Sequence, residues 1–528
     1  MRASIAAAVR AFDPPVGGPS IITVAAPVIE VESFLAAPIP GGEMLWDEAA
    51  FAGGSGPDPR ASEPARWVFA GRGEAARIEA SGEDRFASLR SQAAALFASV
   101  VERRSSGCAS APSPRVFGGL SFAPRGAEDL RTTRAADAAG APLRGQGRGP
   151  SAPWARFGDA SFVLPRWLYA TNGESAFLRI AAQADELRAP HALLAEADAV
   201  SDALLRGGPG LGGTFVRPRT DPTHLAQLDP AVWELLVADA LTRIRAGEME
   251  KVVAARASLL TALEPIDVVS VVARLRRDHP SCTRFVMERG GLVFLGATPE
   301  LLVTLRGLDL TTEALAGSIP RRDVAGGDAD DEPLSRALLD SDKDRREQAL
   351  VVRGIREALE PLCAELRVPD RVMVRALRHV LHLVTPISAR LRRRAHVLDL
   401  VEALHPTPAV SGLPRAPAAR WIAASEPPRG WYAAPVGWFD AAGDGSFSVA
   451  LRSALIDRER AFLFAGAGIV EGSSPALEYA ETGAKQAAML AAIAGSAGNG
   501  ASAPSRQADL RRPSSAEADR DPSPRGLP

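Results

Sequence analysis

The stretch "SFSVALRSALIDRERAFLFAGAGIV" (446–470) holds two runs of alternating, strand-forming residues on either side of the charged turn "DRER". A chain that carries such a pair is committed to an antiparallel hairpin there. "SFVLPRWLYA" (161–170) and "KVVAARASLL" (251–260) read as further strands. Between these two lies "DPAVWELLVADALTRIRAGEMEK". Asp229 suits an N-cap, Pro230 the first helical position, and Gly247 the end. Its apolar residues recur at Val232, Leu235, Leu236, Leu241 and Ile244, which predicts a helix with one apolar stripe. Strands in neighbouring pairs with helices between them predict an α+β fold with an extended antiparallel sheet. Hydrophobic residues make up 46% of the 528, enough for a sizeable core.

No clear linker divides the chain. We expect one catalytic domain over 101–494, preceded by a looser N-terminal segment, 1–100, that contributes to the sheet. The end, 495–528, is rich in Ser, Pro, Ala and charge, and reads as a disordered tail. "AADAAGAPLRGQGRGPSAP" (135–153) and "RRDVAGGDADDEP" (321–333) read as loops; the acids of the second miss the spacing of a calcium loop. A net charge of −2 gives no support for a nucleic-acid or anionic-membrane surface. Cys108, Cys282 and Cys363 are widely spaced, which argues against a disulfide framework or zinc ribbon and fits a reducing compartment. The start is a poor signal peptide and no run of about 18 apolar residues occurs, so a cytoplasmic protein is expected.

Some motifs carry little. "GGPGLGG" contains a GxGxxG at Gly208, Gly210 and Gly213, but "TFVRPRTDPTH" follows and cannot open a helix cleanly. It reads as a surface loop. "RHVLH" sets His379 and His382 three apart, too few ligands for zinc. His382 projects from the alternating strand "VMVRALRHVLHLVTPI", as a core or site-lining residue.

Two helices carry more. In "EYAETGAK" (478–485), Glu478, Glu481 and Lys485 fall within an arc of about 60° on a helix. A solvated face with an ordinary i,i+4 pair is the bland reading. "SDKDRREQALVVRGIREALEPL" opens with Ser341 as a cap, and Asp344 and Glu347 extend the face of Val351, Ile355, Ala358 and Leu362. Acids that continue a core-facing stripe need a partner or a metal, unless the stripe emerges into solvent at its first turn. Two such pairs can meet around one hard divalent cation such as Mg²⁺. Lys485, Arg452 and the amides of "GAG" (466–468) add anion contacts. Lys251 on an apolar strand face and Glu300 after Thr298 and Pro299 are candidates for general base and acid, against the commoner edge or snorkelling roles.

Together, "EMEKVVAAR", "GATPELL", "EALAGSIPR", "SDKDRREQALVV", "HLVTPI", "HPTPAVSGLPR", "PRGWYAAPVG", "FSVALRSALI" and "GAGIVEGSSPALEYAETGAK" resemble, in order, the chorismate-utilising enzymes. That family includes isochorismate and salicylate synthases and the large subunits of anthranilate and aminodeoxychorismate synthases. The resemblance implies two large packed antiparallel β-sheets wrapped by helices, with a Mg²⁺-bound site between them. Glu347 and Glu481 would be direct ligands, and Asp344 and Glu478 would hold metal-bound waters. Tyr432, Arg452, Gly466, Gly468 and Lys485 would hold the carboxylates of chorismate. Gly317 and Ser318 would line the ring pocket, with His382 beside it. Lys251, neutral, would take a proton from the water that attacks C2, and protonated Glu300 would donate to the departing C4 hydroxyl.

Lysine at position 251 goes with water rather than ammonia as nucleophile, so no amidotransferase subunit is expected. Ala409 stands where lyase-type members commonly carry threonine, which favours release of isochorismate. Gln348 departs from the family's usual histidine and leaves the orientation of Glu347 open. We expect a monomeric isochorismate synthase; a salicylate synthase and a non-catalytic chorismate-binding protein are the alternatives.

Overall fold

The computed structural model describes residues 1–12, 18–37, 39, 41–49, 66–124, 153–206, 222–321 and 331–495. The glycine-rich 207–213, residues 135–152 and 322–330 of the two expected loops, and the tail from 496 lie outside them.

Extended residues build two sheets. The first runs β4 (Val101–Arg104), β1 (Ser20–Ala26), β7 (Ala176–Ala182), β6 (Ala160–Thr171), β3 (Val68–Ala80), β2 (Glu43–Asp47) and β10 (Thr283–Arg289). It continues through β11 (Leu292–Thr298), β20 (Ser453–Asp457) and β21 (Arg460–Val470) to β9 (Lys251–Ala262). Beyond β9 lie the short β8 (Pro222–Ala226) and β17 (Gly412–Leu413). The second sheet runs β5 (Arg115–Leu120), β18 (Pro435–Asp440), β19 (Gly445–Val449), β12 (Leu301–Arg306), β13 (Asp309–Pro320) and β16 (Val380–Leu391). Its far edge is β14 (Cys363–Arg367) and β15 (Met373–Ala376). Only β1–β4 among these pairings is parallel.

The long strand β6 belongs to both sheets. Residues 160–163 pair with β5, and residues 167–171 pair with β7. Strands β1, β2 and β3, all before residue 100, are hydrogen-bonded into the first sheet.

One hydrophobic cluster takes residues from both sheets, among them Phe285, Phe294 and Ala254 of the first and Leu302, Leu310 and Phe447 of the second. A second cluster joins the other side of the first sheet, through Leu45, Val286 and Leu295, to the helices Arg2–Arg10, His191–Arg206 and Val268–Asp278. Successive residues of β10 thus face different cores, as the two-residue period of a strand requires. No helix among the described residues is long and apolar enough to cross a membrane.

The helix Pro230–Arg245 starts as its sequence predicts, with the Asp229 carboxylate accepting from the Ala231 amide. Its buried face differs from the expected stripe. Trp233, Val237, Ala240 and Leu241 are buried, whereas Val232 and Leu235 are exposed. Trp233 sets the rotation, donating from Nε1 to the Pro475 carbonyl at 3.0 Å.

Two expected strands are each two. The run 446–457 breaks at residues 450–452, where the chain passes from the second sheet to the first and Arg452 takes a left-handed φ of 47°. The run 372–387 folds back at 377–379 as the hairpin β15–β16, and His382 sits on β16. Leu362 lies past the end of the helix Asp342–Leu359 and is exposed, so the stripe ends at the buried Leu359.

Candidate active site

A pocket partly open to solvent lies between the sheets. The first sheet contributes Val253, Phe464, Ala465, Gly466 and Gly468 to its wall. The second contributes Leu315–Ser318 and His382, and Glu300 precedes β12. Arg452 enters at the crossover, and Ala409 and Tyr432 close one side. Glu347, Glu481 and Lys485 come from two helices, Asp342–Leu359 and Pro475–Ala494.

Gly317 makes the floor. Its φ of 68° produces a bulge that leaves it unpaired between Ala316 and Ser318. The bulge aims Ser318 at both acid-bearing helices. Its hydroxyl donates to Glu481 Oε1 at 2.6 Å, and its amide donates to Asp344 Oδ1 at 3.3 Å. Ser341 caps its helix as expected, accepting from the Asp344 amide.

Each of three acids is paired with a lysine. Lys251 Nζ stands 3.0 Å from Glu347 Oε1, Lys343 Nζ 2.7 Å from Glu478 Oε1, and Lys485 Nζ 2.5 Å from Glu481 Oε1. Glu478 is fully buried, which is not the solvated face of an ordinary surface pair. Burial raises its pKa above the usual carboxylate range against the pull of Lys343. Burial also opposes ionisation of Glu481, but Lys485 and the Ser318 hydroxyl hold it down to about 2.

Lys251 is completely enclosed and lies behind the wall rather than on it. Its Nζ is near Glu347 Oε1 but makes no aligned hydrogen bond. Gly468 leaves the room for this arrangement, since a Cβ there would lie 2.2 Å from Glu347 Oε1.

Glu300 lines the wall at 4% exposure. Desolvation, and then the neighbouring Glu313, push its carboxyl up to about 8, against the fields of Lys251 and Lys485. It is therefore a carboxylic acid at neutral pH. His382 is the reverse case. Burial, then Arg452 and Lys485, push it down to about 3, so the ring is neutral. Arg452 has only donors, so His382 Nε2 accepts from it at 3.1 Å and Nδ1–H donates to the Gly317 carbonyl at 3.2 Å. Lys485 also donates to the Gly466 carbonyl at 2.9 Å. Tyr432 stacks on Phe464 at 5.2 Å.

The sequence-predicted residues therefore fall into two groups. Glu300, Gly317, Ser318, Glu347, His382, Ala409, Tyr432, Arg452, Gly466, Gly468, Glu481 and Lys485 line the pocket. Lys251, Asp344 and Glu478 stand just behind it, each touching a lining residue or its lysine-bearing helix.

Among the described residues, no cluster of three or more acidic, histidine or cysteine side chains stands in coordinating geometry. The donor set nevertheless fits a hard cation. Four carboxylates stand on two helices, Asp344 and Glu347 on one and Glu478 and Glu481 on the other, and Lys343 sits in the field of Glu478, Glu347 and Glu481, which is the oxygen-donor chemistry such an ion takes.

Sequence reasoning passed over Lys343, although it stands inside the quoted "SDKDRREQ". It also passed over Glu313, whose signal was a lone acid within the strand "TTEALAGS". Gln348 donates to the Ala314 carbonyl and to Thr385 Oγ1, both at 3.0 Å, and so ties the Glu347 helix to β13 and β16.

Residues 61–494 match the model of the chorismate binding enzyme family. The chain is 40% identical over 434 residues to the salicylate biosynthesis isochorismate synthase of Pseudomonas aeruginosa, covering 81% of this chain and 83% of that one. It is 34% identical over 396 residues to the isochorismate synthase MenF of Bacillus subtilis, covering 73% and 76%. Its fold is similar to that of MenF, the menaquinone-specific isochorismate synthase from Escherichia coli, with a TM-score of 0.69 at 25% identity, over 93% of this chain and all of that one. With this match over most of its length, and with the pocket between two joined antiparallel sheets, the chain belongs to the chorismate binding enzyme family.

Proposed function

We propose that this protein is an isochorismate synthase that adds water at C2 of chorismate and expels the C4 hydroxyl. One observation carries the reading: Glu300, beside β12 of the second sheet, lines the pocket, and Lys251 of β9 in the first sheet stands directly behind the lining residue Glu347. Lys251, as the neutral amine and once it exchanges Glu347 for water, takes a proton as the water oxygen bonds to C2. The ring double bonds shift, the C4–O bond breaks, and Glu300 protonates the leaving hydroxyl, which departs as water. Lys251 ends protonated and Glu300 ionised, and proton exchange with solvent resets both.

Arg452 and Lys485 hold the carboxylate of the enolpyruvyl arm. His382, neutral and fixed in one tautomer, keeps the Arg452 guanidinium aimed. Glu347 and Glu481 would hold Mg²⁺ directly, with Asp344 and Glu478 acting through its waters. Bound there, the ion would neutralise and orient the ring carboxylate. Ala409 leaves the ring side without a hydroxyl, which supports release of isochorismate.

Incubation with chorismate and Mg²⁺, with products resolved by chromatography, tests this. Isochorismate without pyruvate is expected. Pyruvate in a lactate-dehydrogenase-coupled assay, with no lyase added, would identify a salicylate synthase. Chorismate binding without turnover would identify a binding protein.

A further inference from the structure

Glu300 is held by an unusual frame. The two peptide groups that flank it are both gripped by one buried ion pair. Arg375 donates to the Pro299 carbonyl at 2.9 Å, and the Leu301 amide donates to Glu313 Oε1 at 3.1 Å. Arg375 and Glu313 are joined by two parallel hydrogen bonds of 2.7 Å each. Glu313 lies on β13 and Arg375 on β15, with β16 between them in the sheet. On the other side the Glu300 carbonyl accepts from the Val449 amide at 3.1 Å, and the Glu300 amide donates to Thr298 Oγ1 at 3.2 Å.

A buried ion pair is a poor source of stability. Replacement by apolar residues of similar volume is often neutral or favourable. This pair therefore calls for a different account, and its position supplies one.

We infer that the Glu313–Arg375 pair is a positioning device for Glu300: its hydrogen bonds fix the backbone that aims the carboxyl into the pocket, and its two charges together set whether that carboxyl keeps its proton. This rests on the reading of Glu300 as the acid. The charged and titratable groups facing Glu300 are Glu313 and Arg375 of the pair, Lys251 of β9, Lys485 of the Pro475–Ala494 helix, and Tyr432. Only Glu313 among the charged ones favours the protonated form, and it outweighs Arg375 at Glu300. The three cations favour ionisation, so the acid survives at neutral pH because burial and Glu313 oppose them.

The two members of the pair thus act in opposite senses, which a merely structural role would not produce. The test is the pH profile of kcat/KM for chorismate, which reports groups of the free enzyme. In the wild type, kcat/KM falls as pH rises through about 8, because Glu300 loses its proton. Glu313→Gln leaves Arg375 unopposed and moves that alkaline limb down by about one pH unit. Arg375→Met leaves Glu313 unopposed and moves it up by a smaller amount. The double variant, neutral at both positions, folds without an unpaired charge, and its limb lies below the wild type and between the two singles. KM changes less than kcat in all three.

Limbs that superimpose on the wild type, or that move the same way in both singles, overturn the inference. Glu300→Gln separates it from the reading beneath it. If that variant is inactive while the pair variants leave the limb in place, only the positioning role fails. If Glu300→Gln keeps its turnover, both fail.

Discussion

Gly468→Ala is a one-methyl perturbation aimed at the chemistry rather than the fold. The new Cβ would lie 2.2 Å from Glu347 Oε1, 2.9 Å from its Cδ and 3.2 Å from Lys251 Cε. A carbon and an oxygen rest at about 3.3 Å or more, so the carboxylate must retreat by about 1 Å. The backbone cannot give way instead. Gly468 is paired with Val253 inside the β21–β9 ladder, and its neighbours Ala467 and Ile469 are fully buried. The movable part is the end of the Glu347 side chain, so the fold loses little. Function loses much, because a 1 Å misplacement of a catalytic group costs about 10²-fold in rate, or about 2.7 kcal/mol of barrier. Steady-state turnover of chorismate, read beside the melting temperature, separates the two effects. Gly483→Ala, on the Pro475–Ala494 helix and outside the pocket lining, is the control. Its Cβ would stand 3.7 Å from Arg256 Nη2, an ordinary van der Waals contact. It should lose far less activity. A Gly468→Ala enzyme that turns over within about threefold of the wild type would refute the placement of Glu347 and Lys251 in the reaction.

Two other substitutions probe different links. Glu481→Gln removes one charge from the acid cluster while keeping its shape, and should raise sharply the Mg²⁺ concentration needed for activity; wild-type turnover that persists in excess chelator would remove the metal site altogether. Trp431→Ala empties a fully buried site whose ring stands 5.1 Å from that of Phe157 and whose Nε1 donates to the Gly158 carbonyl at 3.0 Å. It should cost about 3–5 kcal/mol of stability, measured by denaturant unfolding, and a loss under 1 kcal/mol would contradict the packing described.

How far the sequence reached depends on the range of the forces involved. Local signals were readable. The Ser341 and Asp229 caps, the acid spacing on two helices and the strand carrying Lys251 are set within a few residues. The breaks were not. Alternation runs unbroken through Ala450, Leu451 and Arg452, yet the chain changes sheets there because β12 and β11 claim successive halves of it. The same holds for 372–387, where β16 pairs back on β15 through a three-residue turn that carries no glycine or proline. The exposed Val232 and Leu235 show that a helix with apolar residues on several sides is rotated by its largest one, here Trp233. Glu313 and Arg375 are 62 residues apart, and only the strand order makes them a pair.

The strand shared by both sheets has a consequence for how the molecule comes into being. The two sheets it joins close over long stretches of chain: Asp47 meets Arg284 in β2–β10, and Val436 meets Gly119 in β18–β5. Entropy must be surrendered before such contacts give anything back, so assembly is slow compared with a helical protein of equal size. On the ribosome, β2 and β5 emerge long before their partners β10 and β18, and those bare edges are open to pairing with other chains. Yield on expression should therefore respond more to synthesis rate and temperature than to changes at the pocket.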